Sequence, residues 1–544
     1  MDMPEVTLEH FLRAAADIAA HGDNDTLPFD VDTNFVSAKQ TELAGVAFRF
    51  SEQLRKDSES NSKHKITALT VFSERLLVAT GASGFRVTTK IQPFWSIYFN
   101  GLGVAIADHL EPLRDQRTFS YRFRAEGDSE LFDRTSSWRA FREATSQEAA
   151  NAPAGTIVVQ TDVSSFYEHI SHHYLENLID DLFPDGRVGN QVVALLTKFS
   201  AGRSFGLPVG GQCARILAEL FMNSIDHRMT HDGLRWYRYV DDYVLIADSN
   251  AEAYAGLAFL SHALADYGIT LNKSKTIMMT AKHYEEYVTA QLGGDDSSAG
   301  VLRQIDLHYD PYSDNPEGEY ESLKSTVESL DIQRLLGNEL QKSLPDNFLI
   351  TQIGRTLTFH SPAVALGLAN TFLEPNNLHA FRASWSTIMR GVAHLRAGGG
   401  YKEIHAALDT IIDKVATHST HLLQAEASLL HYLRLLRFTP APARSAFVQN
   451  TYRNSPSNTV KKACIDCWRM WKDRSGFNSV ASRWSELNTE CQRLAWLAAE
   501  SFGDQGSGFR RQYGPSLEQS WRLGIESKNH PTFAGIYQAW CDDN

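Results

Sequence analysis

The stretch that most constrains this chain is Arg238-Tyr239-Val240-Asp241-Asp242-Tyr243-Val244-Leu245-Ile246-Ala247. Two adjacent acids lie between β-branched and aromatic residues, which reads as two short strands meeting at a tight turn that carries the charge. Neighbouring carboxylates repel each other and favour water or a proton, so keeping them beside apolar strands is usually offset by a bound cation. Asp-Asp is also ordinary turn chemistry, and the pair alone does not separate the two readings.

A third acid supplies context. The β-branched run from Thr156 ends in Asp162 and passes through Val163 into the aromatic pair Phe166 and Tyr167, as expected of a buried strand that delivers a carboxylate to a site at its end. If the fold lays this strand beside the Asp241-Asp242 turn, three carboxylates converge. Hard oxygen ligands with room for waters and substrate phosphates suit Mg²⁺, and two such ions can clamp the attacking and leaving oxygens of an in-line phosphoryl transfer. Between the acids, Gly206-Leu207-Pro208-Val209-Gly210-Gly211 reads as a loop that lets backbone approach a flat partner such as a base pair. A helix follows, with Ile216, Leu220 and Asn223 on one face. Downstream, residues 267–276 read as a turn and a short strand carrying Lys273 and Lys275.

The remainder bounds the setting. At 544 residues, 43% hydrophobic and 22% charged, the chain is expected to be a soluble globular protein with room for about three domains. Its longest apolar runs, such as residues 101–107, fall far short of the ~20 residues that cross a bilayer. The N-terminal residues show no export pattern, so a cytoplasmic, membrane-free location is expected. A net charge of -13 is the wrong sign for coating nucleic acid indiscriminately. Nucleic-acid contact is therefore expected to be local, at clusters such as Arg114, Arg117 to Arg124, or Arg510 and Arg511. Cys464 and Cys467 read as one face of a helix rather than half of a zinc site.

In chain order, residues 6–20 read as a helix capped by Thr7. Residues 57–65 read as a polar surface loop, and a strand-like segment follows from Lys65. A hairpin after Gly81 presents Arg86 and Lys90 on one face, and residues 93–110 form a core helix. Residues 117–124 interleave cations with aromatics, a composition that cradles phosphates and stacks bases. Beyond residue 300 a linker at 301–320 leads into sparse Pro and Gly and helical spacing. Leu422, Ala425, Leu429, Leu433 and Leu436 make one stripe, and Cys491, Leu494, Ala495 and Ala498 begin another. Breaks are expected at Pro345, Pro362, Pro440 and Gly476, giving a repeat-like array without a strict period. His418 and His421 read as surface or packing residues.

Taken in order, the strand ending at Asp162, the Gly206 to Gly211 loop with its helix, the Tyr-Val-Asp-Asp hairpin and Leu271-Asn272-Lys273-Ser274-Lys275-Thr276 resemble palm motifs A to D of reverse transcriptases. Upstream segments are similar to the fingers of the same enzymes, so the likeness covers roughly residues 60–290. The resemblance implies an α+β fold: fingers and an antiparallel palm sheet in residues 1–300, then an all-helical domain in 321–544. It implies an RNA-directed DNA polymerase, with Asp162, Asp241, Asp242 and the Val163 carbonyl as ligands of Mg²⁺ or Mn²⁺. Tyr167 matches the residue that excludes a 2′-hydroxyl. Arg86, Lys90, Arg117, Gly210 and Lys275 are candidate contacts for the incoming dNTP.

One departure from the family matters. Most reverse transcriptases carry Gln where Val209 stands, and the loop together with Arg215-Ile216-Leu217-Ala218-Glu219 is similar to bacterial abortive-infection and defence-associated enzymes. That lineage includes enzymes that copy a dedicated non-coding RNA and others that synthesise DNA without a template, some primed on their own side chains. Expected partners are dNTPs, an RNA template or DNA product, and a second copy of the chain. The alternative is a palm-fold sensor or scaffold that binds nucleic acid without polymerising, and a role in a mobile element is a third reading.

Overall fold

The computed structural model describes residues 5–28, 30–56, 59–81, 84–127, 130–292, 297–305, 307, 316–526 and 530–543. Much of the expected linker, residues 306 and 308–315, lies outside these, and the described flanks are helical, Ser298–Gln304 and Pro316–Ser329.

Helix α1 (Leu8–His21) starts where Thr7 marks it, with the His10 ring accepting the Thr7 N–H in a capping-box arrangement. Helices α2 (Asp30–Ala38) and α3 (Gln40–Lys56) follow. The expected polar loop at 57–65 is instead helical from Glu59, as α4 (Glu59–Ala68). Polar composition is overridden here by tertiary contacts: Ile66 is fully buried, and Lys198 donates to the carbonyls of Thr67 and Leu69, which the helix end leaves open. The strand-like segment read from Lys65 begins only at Ser73, where β1 (Ser73–Thr80) pairs antiparallel with β2 (Gly84–Ile91).

Helix α5 (Pro93–Leu110) has the bounds read from the sequence and is buried almost all round. Its two glycines make room for neighbours. A Cβ on Gly101 would lie 2.2 Å from the Phe11 ring, and one on Gly103 would lie 2.7 Å from Cys213 Sγ. Close approach on both sides thus ties α5 to α1 and to the helix that follows the glycine loop.

The palm is a four-stranded antiparallel sheet in the order β4-β5-β3-β6, comprising β3 (Ile157–Asp162), β4 (Arg235–Tyr239), β5 (Asp242–Ala247) and β6 (Ile277–Thr280). Between these strands run α6 (Trp138–Ala150), α7 (Phe166–His169), α8 (His172–Leu182), α9 (Arg187–Phe199), α10 (Gln212–His231), α11 (Asn250–Ala265) and α12 (Ala281–Leu292). Alternation along the strands splits the packing. Val158, Val244 and Ile246 bury against Phe141 of α6 and Tyr284 and Val288 of α12, while Val159 and Leu245 join the main core on the opposite face.

From residue 316 the described elements are helical. The stripe through Leu422 to Leu436 is divided: Leu422 lies in a 3₁₀ turn, Ala425 is extended, and the α-helix Glu426–Leu436 begins after it. The second stripe is buried in the helix Thr489–Ala499. Pro345 and Pro440 fall between helices and Pro362 opens one. Gly476 is not a break but lies within the helix Arg474–Ala481, where a Cβ would meet the Trp468 ring at 2.4 Å. The chain turns instead at Lys472, which adopts a φ of 53°. All five cysteines are buried and unpaired, with Cys464 and Cys467 in the helix Asn458–Trp471.

Candidate active site

The register of β3 against β5 sets Asp162 directly opposite Asp242. Tyr239 pairs with Asp242 across the β4–β5 hairpin, so Val240 and Asp241 form its two-residue turn. Asp242 is therefore the first strand residue rather than part of the turn. The Val163 N–H donates to the Asp241 carbonyl at 3.0 Å, which fixes the turn against the end of β3. The structure thus gathers Asp162, Val163, Asp241 and Asp242 at one place.

Crowding acts on these acids. Burial and the charges of Asp242 and Asp162 push the Asp241 carboxyl up to about 7, and burial with Asp162 raises Asp242. Asp162 is partnered: Lys275 Nζ donates to Oδ1 at 3.1 Å and Asn272 Nδ2 to Oδ2 at 3.2 Å, while the Asn272 N–H donates to the Asp162 carbonyl at 2.7 Å. Lys275 thereby places one positive charge among three acids; burial opposes its protonated form, but the Asp162 bond holds its pKa above the ordinary lysine value. Among the described residues no three side chains already stand in metal-ligand geometry. The donor set, carboxylates carrying excess negative charge, nevertheless fits divalent cations that would displace the Lys275 ammonium.

A layer beneath the turn was not anticipated from the sequence. Val240 has a φ of 55°, a left-handed conformation costly for a β-branched residue. Its carbonyl accepts from Arg238 Nη1 at 2.8 Å. Arg238 is itself fully buried and bonds Asp226 and Glu219 of α10, which are also held by Tyr243, Ser120 and Arg114. Burial opposes ionisation of Glu219, but Arg238 and Arg114 keep its carboxyl below the usual range. The signal was present: Glu219 and Asp226 stand seven apart on one face of α10, and Arg238 interrupts a strand.

The other candidates separate. Phe166 is buried, whereas Tyr167 is half-buried, its carbonyl accepting the Leu207 N–H of the glycine loop. Gly210, with a φ of 122°, owes its close approach to the chain itself, because a Cβ there would lie 2.2 Å from the Asn24 amide. Arg86 is exposed on β2. Lys90 does not share its exposure: two residues beyond Thr88 on the same face, it is buried and paired with Asp23 and Asp32, so the hairpin presents no lysine to solvent. Arg117 is likewise engaged, bonded to Asp115 and Thr230 and lying over the Trp236 ring.

Residues 90–309, fewer than half of the chain, match the family model described as reverse transcriptase (RNA-dependent DNA polymerase). This part of the chain is a reverse transcriptase domain. No match was found among curated protein sequences. Among solved structures, telomerase from Candida albicans in complex with a TWJ fragment of telomeric RNA is 12% identical, with a TM-score of 0.31 over 64% of this chain and 65% of that one. Apo telomerase from Candida tropicalis is 10% identical, with a TM-score of 0.30 over 65% and 69%. The chain spans just under two thirds of the Candida albicans protein's length. Within the reverse transcriptase domain, Asp162 and Asp242 occupy adjacent strand ends, Asp241 lies in the β4–β5 turn, and the glycine loop falls between Asp162 and Asp241 in sequence.

Proposed function

We propose that this chain is a DNA polymerase of the reverse-transcriptase type that adds dNTPs by two-metal phosphoryl transfer. The observation that carries the reading is the convergence of Asp162, Asp241 and Asp242, with two of the three pushed up in pKa by burial and one another. Bound Mg²⁺, or Mn²⁺, would supply charge stabilisation to the entering and leaving oxygens. The chain's own residues do the positioning. Asp162, Asp242 and Asp241 offer ligands from three backbone positions fixed by sheet register, and the Val163 carbonyl adds a neutral one. Lys275, at 61% side-chain exposure, is free to swing from Asp162 toward a departing pyrophosphate. By the resemblance, Tyr167 is the residue whose ring would exclude a 2′-hydroxyl.

The biological setting we propose is antiviral defence in the bacterial cytoplasm, supported by the Val209 form of the glycine loop and the Arg215 to Glu219 segment. An apolar Val209 cannot make the hydrogen bond that Gln makes near a nascent pair, which suits copying of a dedicated RNA or untemplated synthesis. The test is incorporation of labelled dNTPs with Mg²⁺, with and without co-purifying RNA, against the Asp241→Ala, Asp242→Ala double variant. Label in wild type alone supports the polymerase; none under any condition would leave the binding scaffold. Loss after ribonuclease reports an RNA template, and label retained on denatured protein reports priming by a side chain. Tyr167→Ala is expected to admit ribonucleotides, and unchanged sugar discrimination would remove Tyr167 from that role.

A further inference from the structure

The helix that follows the glycine loop carries a cation to which the four motifs give no role. Arg215 lies in the first turn of α10, with its guanidinium over the Tyr121 ring at 5.2 Å. It donates to Gln212 Oε1 at 2.8 Å and to Asp25 Oδ2 at 2.5 Å. Tyr121, whose ring carries Arg215, accepts from Arg114 Nη1 through its carbonyl at 2.8 Å, and Arg114 bonds the same Glu219 that Arg238 joins to the Val240 carbonyl, so Arg215 packs on the segment held beneath the Asp241 turn. The two members of the ion pair differ in their surroundings. Arg215 is 24% exposed and packed on an aromatic ring, whereas the Asp25 side chain is 52% exposed and reaches in from the loop between α1 and α2.

The backbone of that loop is held from two directions. The Asp25 N–H donates to the Gly210 carbonyl at 3.4 Å, and the Asp25 carbonyl accepts from Arg390 Nη2 at 2.5 Å, from the helix Trp385–Ala397. The carboxylate is thus laid on Arg215 from an anchored strand of backbone, while its own solvent exposure makes release inexpensive. A guanidinium fork accepts phosphate oxygens in the geometry in which it accepts a carboxylate. Lys90 and Arg117 are engaged elsewhere and Lys275 sits on Asp162, so Arg215 is a further cation for phosphates entering from the side of the glycine loop.

We propose that Arg215 is a phosphate-binding residue of this site and that Asp25 holds its place until a phosphate of an incoming nucleotide or of a nucleic-acid strand displaces it. This rests on the polymerase reading only for the identity of the ligand. Arg390 ties the backbone of the residue that leaves to the helix Trp385–Ala397.

The experiment uses the full-length chain and measures binding of dTTP with Ca²⁺, and separately of a short labelled DNA oligonucleotide, to wild type, Asp25→Asn, Arg215→Gln and the double variant. Asp25→Asn is expected to tighten one of the two ligands by about two- to fivefold, the worth of a half-exposed charge pair. Arg215→Gln is expected to weaken the same ligand and to abolish the gain in the double variant. A response confined to dTTP assigns the nucleotide as the source of the phosphate, and one confined to the oligonucleotide assigns the strand backbone. Arg215→Lys stands in should Arg215→Gln not fold, and is expected to bind less tightly than wild type because the fork is lost. Asp25→Asn leaving both affinities unchanged, with an unaltered circular dichroism spectrum, overturns the proposal. So does a folded Arg215→Gln that binds both ligands as wild type does. The predicted binding changes in a chain that incorporates no label would sink the polymerase reading while leaving this subsite standing.

Discussion

Asp241 shows how far a single residue is set against its own fold. Its carboxyl, raised to about 7, holds a proton in the folded chain over a range where the unfolded chain has released it. The stability this proton contributes is fully present below the unfolded value near 4 and is lost as pH rises through about 7. Asp241→Asn removes that loss. In EDTA at pH 8 it is expected to be more stable than wild type by roughly 1–3 kcal/mol, with little difference at pH 4, a trade of stability for function that thermal melts at the two pH values would reveal. Equal melting at pH 8 would mean that the acids do not crowd one another. Mg²⁺ is expected to raise the melting temperature of wild type more than that of the variant. The acids could be picked out as candidates from residue type together with the resemblance in motif order, not from the Asp-Asp pair alone. Val240 was not, because nothing in a Val-Asp-Asp string says that the valine must take a φ of 55° to bring Asp241 beside β3.

At the scale of elements, the turn depends on what α10 places beneath it. Arg238 neutralises Glu219 and Asp226 inside the core and also bonds the strained carbonyl of Val240. Arg238→Met removes that charge and leaves Glu219 with Arg114 and the buried Asp226 with the hydroxyls of Tyr243 and Thr118, a loss of about 3–5 kcal/mol by the usual cost of breaking a buried pair. A urea midpoint equal to that of wild type would show that the cluster contributes no net stability. Elements whose own faces decide them were readable: α5 is apolar all round and α1 carries its cap, so both were correctly placed from pattern alone. Where partners decide, pattern failed. Residues 59–65 are polar yet helical because α4 docks on α9, and Gly476 looks like a breaker but is a packing site for Trp468. The hairpin β1–β2 was foreseen, yet the burial of Lys90 was not, since Asp23 and Asp32 lie more than fifty residues away in sequence.

Across the whole molecule, the loop and helix at residues 22–38 bind the reverse transcriptase domain to the helices beyond it. Asp30 pairs with Arg434 and Arg437, Asp32 with Lys90, Lys462 and Arg493, and Phe35 packs against Phe533, Tyr537 and Trp540. Glu74 of β1 accepts the N–H groups of Asn458 and Thr459 at the start of a distant helix. His431 belongs to the same seam: its Nε2 bonds the Thr26 carbonyl, and burial with the charges of Arg390 and Arg434 pushes its pKa down to about 3 against the weaker pull of Asp30. Stability from this neutral histidine is present above the unfolded value near 6.5 and declines as pH falls toward 3, so His431→Gln should flatten the fall in melting temperature between pH 7 and 5. None of this seam was legible, because it joins residues hundreds of positions apart whose local patterns are ordinary. It also predicts how the chain unfolds. Residues 1–300 alone would expose Phe35 and leave the buried Asp32 with Lys90 as its remaining cation, a cost beyond what a marginal domain tolerates. The full chain is therefore expected to melt in a single calorimetric transition, and residues 1–300 expressed alone to show no cooperative melt. A native-like transition from that fragment would mean that the helices are attached to the domain rather than part of what holds it folded.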